Sequence, residues 1–329
     1  MHRQLHAWSF GLRYTKGSSE KSMNMASNTT LPLTMRAMQW RVIEDGIDKS
    51  LNLAPNAKLP KRSQSLPKGH TLIKVAYASV NHLDYKVAEM SLGSILFSKP
   101  ATPGLDYSGT IVSTTLSGFT AGQRVFGRTE LPTGGTLAEY VVVRENGIAA
   151  VPDGVSLRDA ACIGICGTTN IQFLMPFVKP GHRVFINGGS GGVGMFAIQI
   201  AKALGCSHIT TTCSASNAEF CRNLGADEII DYKSQVVREE LKNTEEPFDF
   251  IYDTVFSDPE LYWQSHNYLK PGGTYFCVGF PTTARFFKTL LSIKLLPRWL
   301  GGGKRMFKFG SVVANRDDFG QVAEWISEE

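Results

Sequence analysis

Residues 183–205 read RVFINGGSGGVGMFAIQIAKALG. An apolar run opens the segment, a glycine cluster follows, and a long stretch without proline closes it. That order predicts strand, tight turn, helix. Within the turn, the spacing GxGxxG is met by Gly189, Gly191 and Gly194. Each glycine answers a physical need: Gly189 for the turn out of the strand, Gly191 for close approach of backbone to a ligand, and Gly194 for close packing of helix on sheet. A helix N-terminus offers N–H groups and the positive end of a dipole, so Gly189, Ser190, Gly191, Gly192, Val193 and Gly194 are read as the cradle of a dinucleotide pyrophosphate.

Outward from this turn, the chain keeps the same grammar. HITTTCS (208–214) reads as a strand, NAEFCRNLG (217–225) as a helix ending on Gly225, FDFIYDTV (248–255) as a strand, PELYWQSHNYLK (259–270) as a helix, and TYFCVG (274–279) as a strand. Alternating strands and helices imply a parallel, doubly wound sheet. About 20 residues beyond the glycine turn, an NAD-binding chain places an acid on the adenosine ribose. Here that position is Ser214, and the nearest acid is Glu219. Ser214, Ser216 and Asn217 can donate to a 2′-phosphate, or cap the next helix; the absence of an acid favours NADPH over NADH.

Upstream, residues 35–155 hold short β-branched segments between Gly and Pro turns, so this part reads as a mainly β barrel or sandwich. PNAKLPKRSQSLPKGH (55–70) reads as a loop, and DAACIGICGTTNIQFLMPFV (159–178) as one buried helix, with the domain boundary near 158. The formal charge of +5 is concentrated: residues 1–35 carry four Lys/Arg against one acid. No folded basic face is implied, which argues against a nucleic-acid partner. Six cysteines without a CxxC pair read as reduced thiols, and no zinc-ligand set is visible. Residues 1–34 are polar and poor in acids, as a disordered or targeting extension would be, so the expected location is cytoplasmic, with mitochondrial as the alternative. Residues 281–309 carry seven Lys/Arg and no acid among Phe, Leu, Ile and Trp. Such a segment suits a peripheral membrane contact, a substrate lid or a subunit contact.

Five blocks now stand in order: ASVNHLDYKV (78–87), TPGLDYSGTIV (102–112), GTLAEYVVV (135–143), GGSGGVG (188–194) and LGADEIIDYK (224–233). Through them the chain resembles the zinc-free quinone and enoyl reductases of the medium-chain dehydrogenase/reductase superfamily. The resemblance implies an α/β protein: a GroES-like mainly-β catalytic domain over 35–158 and a Rossmann doubly wound parallel sheet domain over 159–329, with the active site in a cleft between them. It implies hydride transfer from NADPH to a small, hydrophobic, electron-poor substrate (a quinone, enone or enoyl thioester) and a homodimer. It places the adenosine phosphate on Ser214 and Tyr232, with Asn217 where the family often has lysine. Thr169 is placed beside the nicotinamide, and Val278 and Gly279 along the cofactor. Where metal-using relatives have a cysteine and a His-Glu pair, this chain has Asn81 or His82, and Leu105 with Asp106.

Without a metal, a developing oxyanion needs hydrogen bonds or a proton donor. VNHLDYK supplies the densest polar set. Asn81 is expected to orient nicotinamide or substrate, and Tyr85 or Lys86 to donate a proton. Asp84 is expected to cap the helix that begins there, and His82 to be incidental. The family chain continues beyond a segment like DDFGQVAEWISEE with a return to the catalytic domain, and the expectation is that this return is missing. That opens the alternative of a non-catalytic NADPH-binding scaffold or redox sensor.

Overall fold

The computed structural model describes residues 31–90, 93–279, 281, 283–296 and 302–327. The expected extension over 1–34 thus lies outside the described residues except for its last four. The described residues divide into two units, one within 169–312 and the other within 31–168 together with 313–327.

The β unit opens with β1 (Thr34–Gln39), α1 (Ile47–Ser50) and β2 (Asn52–Lys58), the two strands pairing antiparallel. The segment read as a loop from Pro55 therefore begins inside a strand. Pro55 is tolerated because the register slips opposite it, between Met35 and Ala37, where no ladder hydrogen bond from its nitrogen is needed. Then come β3 (His70–Ser79), α2 (His82–Glu89), β4 (Asp106–Thr114), β5 (Arg124–Arg128), β6 (Tyr140–Arg144), β7 (Ile148–Ala150) and α3 (Leu157–Ala160). The strands form a five-stranded sheet of order β6-β3-β4-β5-β7, antiparallel throughout. Ile73, Tyr107, Ile111, Val125, Val141, Val143 and Ile148 bury one face of it.

The run read as one helix over 159–178 is two: α3, then α4 (Gly164–Phe173). The break follows from Asp106, a fully buried carboxylate at the start of β4. It accepts the backbone N–H of Ile165 at 2.9 and 3.0 Å. An N–H free to leave the helix exists only in a first turn, so a helix must begin here. A side chain at Gly164 would also collide with Asp106, its Cβ falling 2.2 Å from Oδ1.

The second unit continues with β8 (Arg183–Asn187), α5 (Gly192–Ala203), β9 (His208–Cys213), α6 (Ala218–Asn223), β10 (Glu228–Asp231), α7 (Val237–Lys242), β11 (Phe248–Asp253), α8 (Glu260–Trp263), β12 (Leu269–Cys277), α9 (Ala284–Leu295) and β13 (Met306–Phe309). The six strands form one parallel sheet of order β10-β9-β8-β11-β12-β13. β8 is the central strand from which the order runs both ways, the topological switch point where such sheets bind ligands. Val184, Phe185 and Ile186 are buried on both its faces, as parallel central strands require. α5 is buried on all sides, with every residue from Gly194 to Ala201 buried and Gln199 the one polar side chain among them. The helix read over 259–270 shortens to α8 because Tyr268 and Leu269 turn into the core and start β12.

The C-terminal helix α10 (Arg316–Ser327) corrects the domain assignment. Residues 313–327 belong with the β unit, not with the parallel sheet, and the division falls at Thr168 and Thr169 rather than near 158. Phe319, Val322 and Ala323 stand on one helical face and are buried, with Phe319 edge-on to Phe126 at 6.1 Å between ring centroids. The chain does return to the β unit, and it is this apolar stripe that draws it there. No helix among the described residues is long and apolar enough to cross a membrane.

Candidate cofactor and active site

The glycine turn leaves β8 through Gly188, whose φ is +93°. A Cβ there would fall 2.6 Å from Thr254 Oγ1 and 2.7 Å from Val255 Cγ2, so both conformation and space demand glycine. The tight turn thus belongs to Gly188, one residue before the Gly189 expected from the spacing. Gly189 is held to glycine by packing instead, a Cβ falling 2.1 Å from Thr211 Oγ1. Gly194 is equally constrained, 2.1 Å from the Gly188 carbonyl oxygen. Gly191 differs from both. It precedes α5 with φ −79° and ψ 164°, is exposed, and a Cβ would meet only the Gly188 oxygen at 3.4 Å. Neither its fold nor its neighbours need glycine; what the missing side chain leaves is open access to the backbone of the α5 N-terminus. A pyrophosphate fits this cradle: Gly192 beside it is exposed too, while Ser190 and Val193 are half-buried.

Around the turn lies a network centred on Asp253, fully buried at the end of β11. Its Oδ1 accepts from Asn187 Nδ2 at 2.8 Å and from the N–H groups of Val255 and Phe256 at 3.0 and 2.8 Å. Tyr275 donates to its Oδ2. Burial raises the carboxyl above the usual carboxylate range, against these bonds. Asn187 Oδ1 in turn accepts from Thr212, which also accepts from the Gly188 N–H. One carboxylate therefore ties the ends of β8, β9, β11 and β12 together and holds Phe256 at φ 52°. Val278 and Gly279 join it, both donating to the Asp253 carbonyl, at 2.9 and 3.1 Å. A Cβ on Gly279 would lie 2.6 Å from the Val255 backbone. Neither Asn187 nor Asp253 was singled out from sequence, although each is a polar residue closing an apolar strand, which is the legible signal. Thr169 is buried, its carbonyl accepting from Tyr252 at 3.4 Å. Its neighbour Asn170 donates to the Val193 carbonyl at 3.0 Å and so anchors α4 to the first turn of α5.

At the far end of the turn, β9 and β10 pair Cys213 with Asp231. Ser214 and Tyr232 each stand one residue past that rung, so the register brings them side by side. Ser214 is buried, its Oγ 2.9 Å from Ser216 Oγ, whereas Asn217 and Tyr232 are exposed. Neither Ser214 nor Asn217 makes a side-chain capping bond; the Asn217 amide and one hydroxyl of the Ser214–Ser216 pair can donate to another acceptor. Lys233, exposed and next to Tyr232, adds a cation that the sequence reading passed over.

In the β unit, Asn81 precedes α2 and its backbone N–H donates to Asp84 Oδ2 at 2.6 Å. Asp84, the third residue of α2, therefore closes a capping box with Asn81 at the N-cap; burial pushes its carboxyl up to about 7, against N–H groups of Asn81 and Leu105 and the Arg128 charge. The Asn81 amide turns inward. Its Nδ2 donates to Asp106 Oδ2 at 2.9 Å, and its Oδ1 accepts from the Cys166 thiol at 3.4 Å. Burial pushes Asp106 up to about 6, opposed by the Ile165 N–H, Arg128, Asn81 and Ser79. Burial raises the Cys166 thiol strongly, with Asp106 adding to it, so it stays a neutral thiol donor. Tyr85 is half-buried, packed against Trp40, Ile47, Ala88 and Ala101; burial and Glu89 raise its phenol. Burial lowers the half-buried Lys86 ammonium, and burial with Lys86 lowers His82, whose ring lies 5.8 Å from Tyr85. Asn81, Asp84, Asp106 and Cys166 are thus one connected group, while Tyr85 and Lys86 sit on the same helix outside its hydrogen bonds. Among the described residues no group of three or more His, Cys, Asp or Glu could hold a metal ion.

Two family profiles match the chain: one described as "Alcohol dehydrogenase GroES-like domain" over residues 67–153, and one described as "Zinc-binding dehydrogenase" over 192–328. A trans-enoyl reductase of Aspergillus terreus, pgmF, is 39% identical over 312 residues, covering 91% of this chain and 87% of that protein. A chloroplastic quinone-oxidoreductase homolog of Spinacia oleracea is 35% identical over 210 residues, covering 61% of this chain and 62% of that protein. The solved quinone oxidoreductase from Coxiella burnetii superposes with a TM-score of 0.74 at 27% identity, covering 89% of this chain and 88% of that one. The β unit is accordingly GroES-like and the parallel unit Rossmann-like, the fold of a family whose oxidoreductases bind nicotinamide cofactors. The chain belongs to the medium-chain dehydrogenase/reductase superfamily and is an oxidoreductase of its quinone- and enoyl-reductase-like kind.

Proposed function

We propose that this oxidoreductase takes NADPH and reduces a small, electron-poor substrate, an enoyl, enone or quinone, without zinc. The observation that carries the choice of cofactor is the pair Ser214 and Tyr232 just past the ends of β9 and β10, with a serine where an acid would close β9 and Lys233 beside Tyr232. Hydroxyls and an ammonium suit a 2′-phosphate, whereas an NADH site places a carboxylate there.

Bound NADPH supplies the hydride; the chain's own groups supply position and polarity. Asp106 holds the Asn81 amide in one orientation through Nδ2, and Cys166 marks the side of its oxygen. The second N–H and the second lone pair of that amide are left to orient nicotinamide or substrate. Asp106 accepts from Ile165 and Asn81 at the place where metal-using relatives keep an acid, so it is occupied in holding the fold. Charge that develops on a substrate oxygen therefore falls to hydrogen-bond donors. Tyr85, its phenol raised, stays protonated at neutral pH and can donate; Lys86, its ammonium lowered, gives up a proton more readily than an exposed lysine.

The test is oxidation of NADPH and NADH by the purified 329-residue chain, followed by nicotinamide absorbance against enoyl thioesters, enones and quinones. Turnover with NADPH and one acceptor class supports the reading. NADPH binding without turnover on every acceptor overturns it in favour of a non-catalytic NADPH-binding protein.

A further inference from the structure

The helix α9 has two apolar faces. Phe286 and Thr289 are buried, with Leu290 and Ile293 packed against the aromatic core. At 100° per residue, Leu291 lies opposite this buried face, with Phe287 and Leu295 about 40° to either side. All three are exposed, Leu291 at 58% and Leu295 at 68%, and Leu296 follows at 41%. The buried face explains why the helix docks on its own sheet. It does not explain a second row of Leu and Phe turned to water.

Charge identifies what this row fits. Residues 281–309 hold seven Lys/Arg and no acid, against a total of +5. With +3 in residues 1–35, the remainder of the chain carries −5. Arg285 and Lys288 are exposed on α9 itself, and Lys304 is exposed just before β13. A second copy set against this face would oppose Lys288 to its like, which disfavours self-association. An anionic lipid surface offers both complements at once: acyl chains for the Leu row and headgroup charge for the cations.

We propose that the α9 face carrying Leu291 and Leu295 binds this protein peripherally to anionic membranes. It is a docking surface and stands apart from the reductase reading, because vesicle binding is measured without turnover. A strongly dipped row of this size gives reversible attachment, and screening by salt weakens it.

The experiment is co-sedimentation of the full chain with vesicles of phosphatidylcholine alone and of phosphatidylcholine with 30% phosphatidylserine, at about 50 and 500 mM salt. The expected result is pelleting with the anionic vesicles at low salt, and little at high salt or on phosphatidylcholine. Leu291→Ser with Leu295→Ser is expected to lower the partition coefficient roughly tenfold, and Lys288→Glu by a similar factor. Melting temperatures and NADPH binding are to stay at the parent's values in both variants. No pelleting at low salt overturns the proposal, as does binding that both variants leave intact. A shift in sedimentation coefficient with the leucine variant, lipid binding unchanged, would assign the face to a second subunit instead.

Discussion

Three glycines of the turn make the same demand in sequence and three different ones in space, and replacing them by alanine separates these. At Gly194 the new methyl carbon would sit 2.1 Å from the Gly188 carbonyl oxygen and 2.8 Å from the Gly189 Cα. These are backbone atoms in the middle of the turn and cannot step aside singly. Overpacking of this kind costs about 1–3 kcal/mol or more. At Gly191 the methyl meets one atom at 3.4 Å, an ordinary contact, in a backbone conformation open to any residue. Gly191→Ala therefore keeps stability, or gains about 0.4–1 kcal/mol by restricting the unfolded chain. Its cost appears only when the cofactor arrives. A methyl standing between phosphate and helix N-terminus removes one charge-assisted hydrogen bond, worth about 1.5–3 kcal/mol, which raises the NADPH Kd roughly 10- to 100-fold. The assay pairs thermal melts of the cofactor-free protein with NADPH fluorescence titration. If Gly191→Ala binds NADPH like the parent, or melts as early as Gly194→Ala, the cradle is not where the geometry puts it.

Further outcomes follow from the buried carboxyls. Folded Asp84 keeps its proton up to about pH 7, whereas an unfolded aspartate loses it near 3.9. The unfolded state then binds fewer protons, so stability falls between about pH 4 and 7 and levels above. Asp84→Asn, which still accepts the Asn81 N–H, is expected to flatten that slope in urea midpoints measured across the range; an unchanged slope counts against the assignment. Gly164→Ala drives a methyl against Asp106 Oδ1 and is expected to lower the melting temperature by several degrees, while Gly118→Ala, strained in φ but open in space, costs less. Ser214→Asp is expected to raise the NADPH Kd tenfold or more and leave NADH binding within a few-fold, read by the same titration; equal losses for both would remove Ser214 from the 2′-phosphate.

Much of this architecture is local and therefore legible. The strand, turn and helix around Gly191 and the alternation after it follow from short-range pattern, and so does the change to β grammar before residue 158. What was missed depends on partners far along the chain. The break before Gly164 is set by Asp106, 58 positions earlier, and no periodicity in 159–178 announces it. The return of α10 depends on Phe319 meeting Phe126, a contact invisible in a sequence whose final segment simply looks amphipathic. Gly188 and Gly189 are adjacent and identical, and only the positions of Thr254 and Thr211 tell which one turns and which one packs. Asp84 as a cap was readable from Asn81 three residues before it; the inward turn of the Asn81 amide onto Asp106 and Cys166 was not, because β4 and α4 deliver those partners.

The central claim is that hydride passes from NADPH to an electron-poor double bond. It is tested most directly with NADPH deuterated at the reactive carbon, an enoyl thioester, and mass analysis of the product. One deuterium in the saturated product, absent with deuterated NADH at equal concentration, is the result this account predicts. Saturated product without label, or labelling by NADH alone, would contradict it.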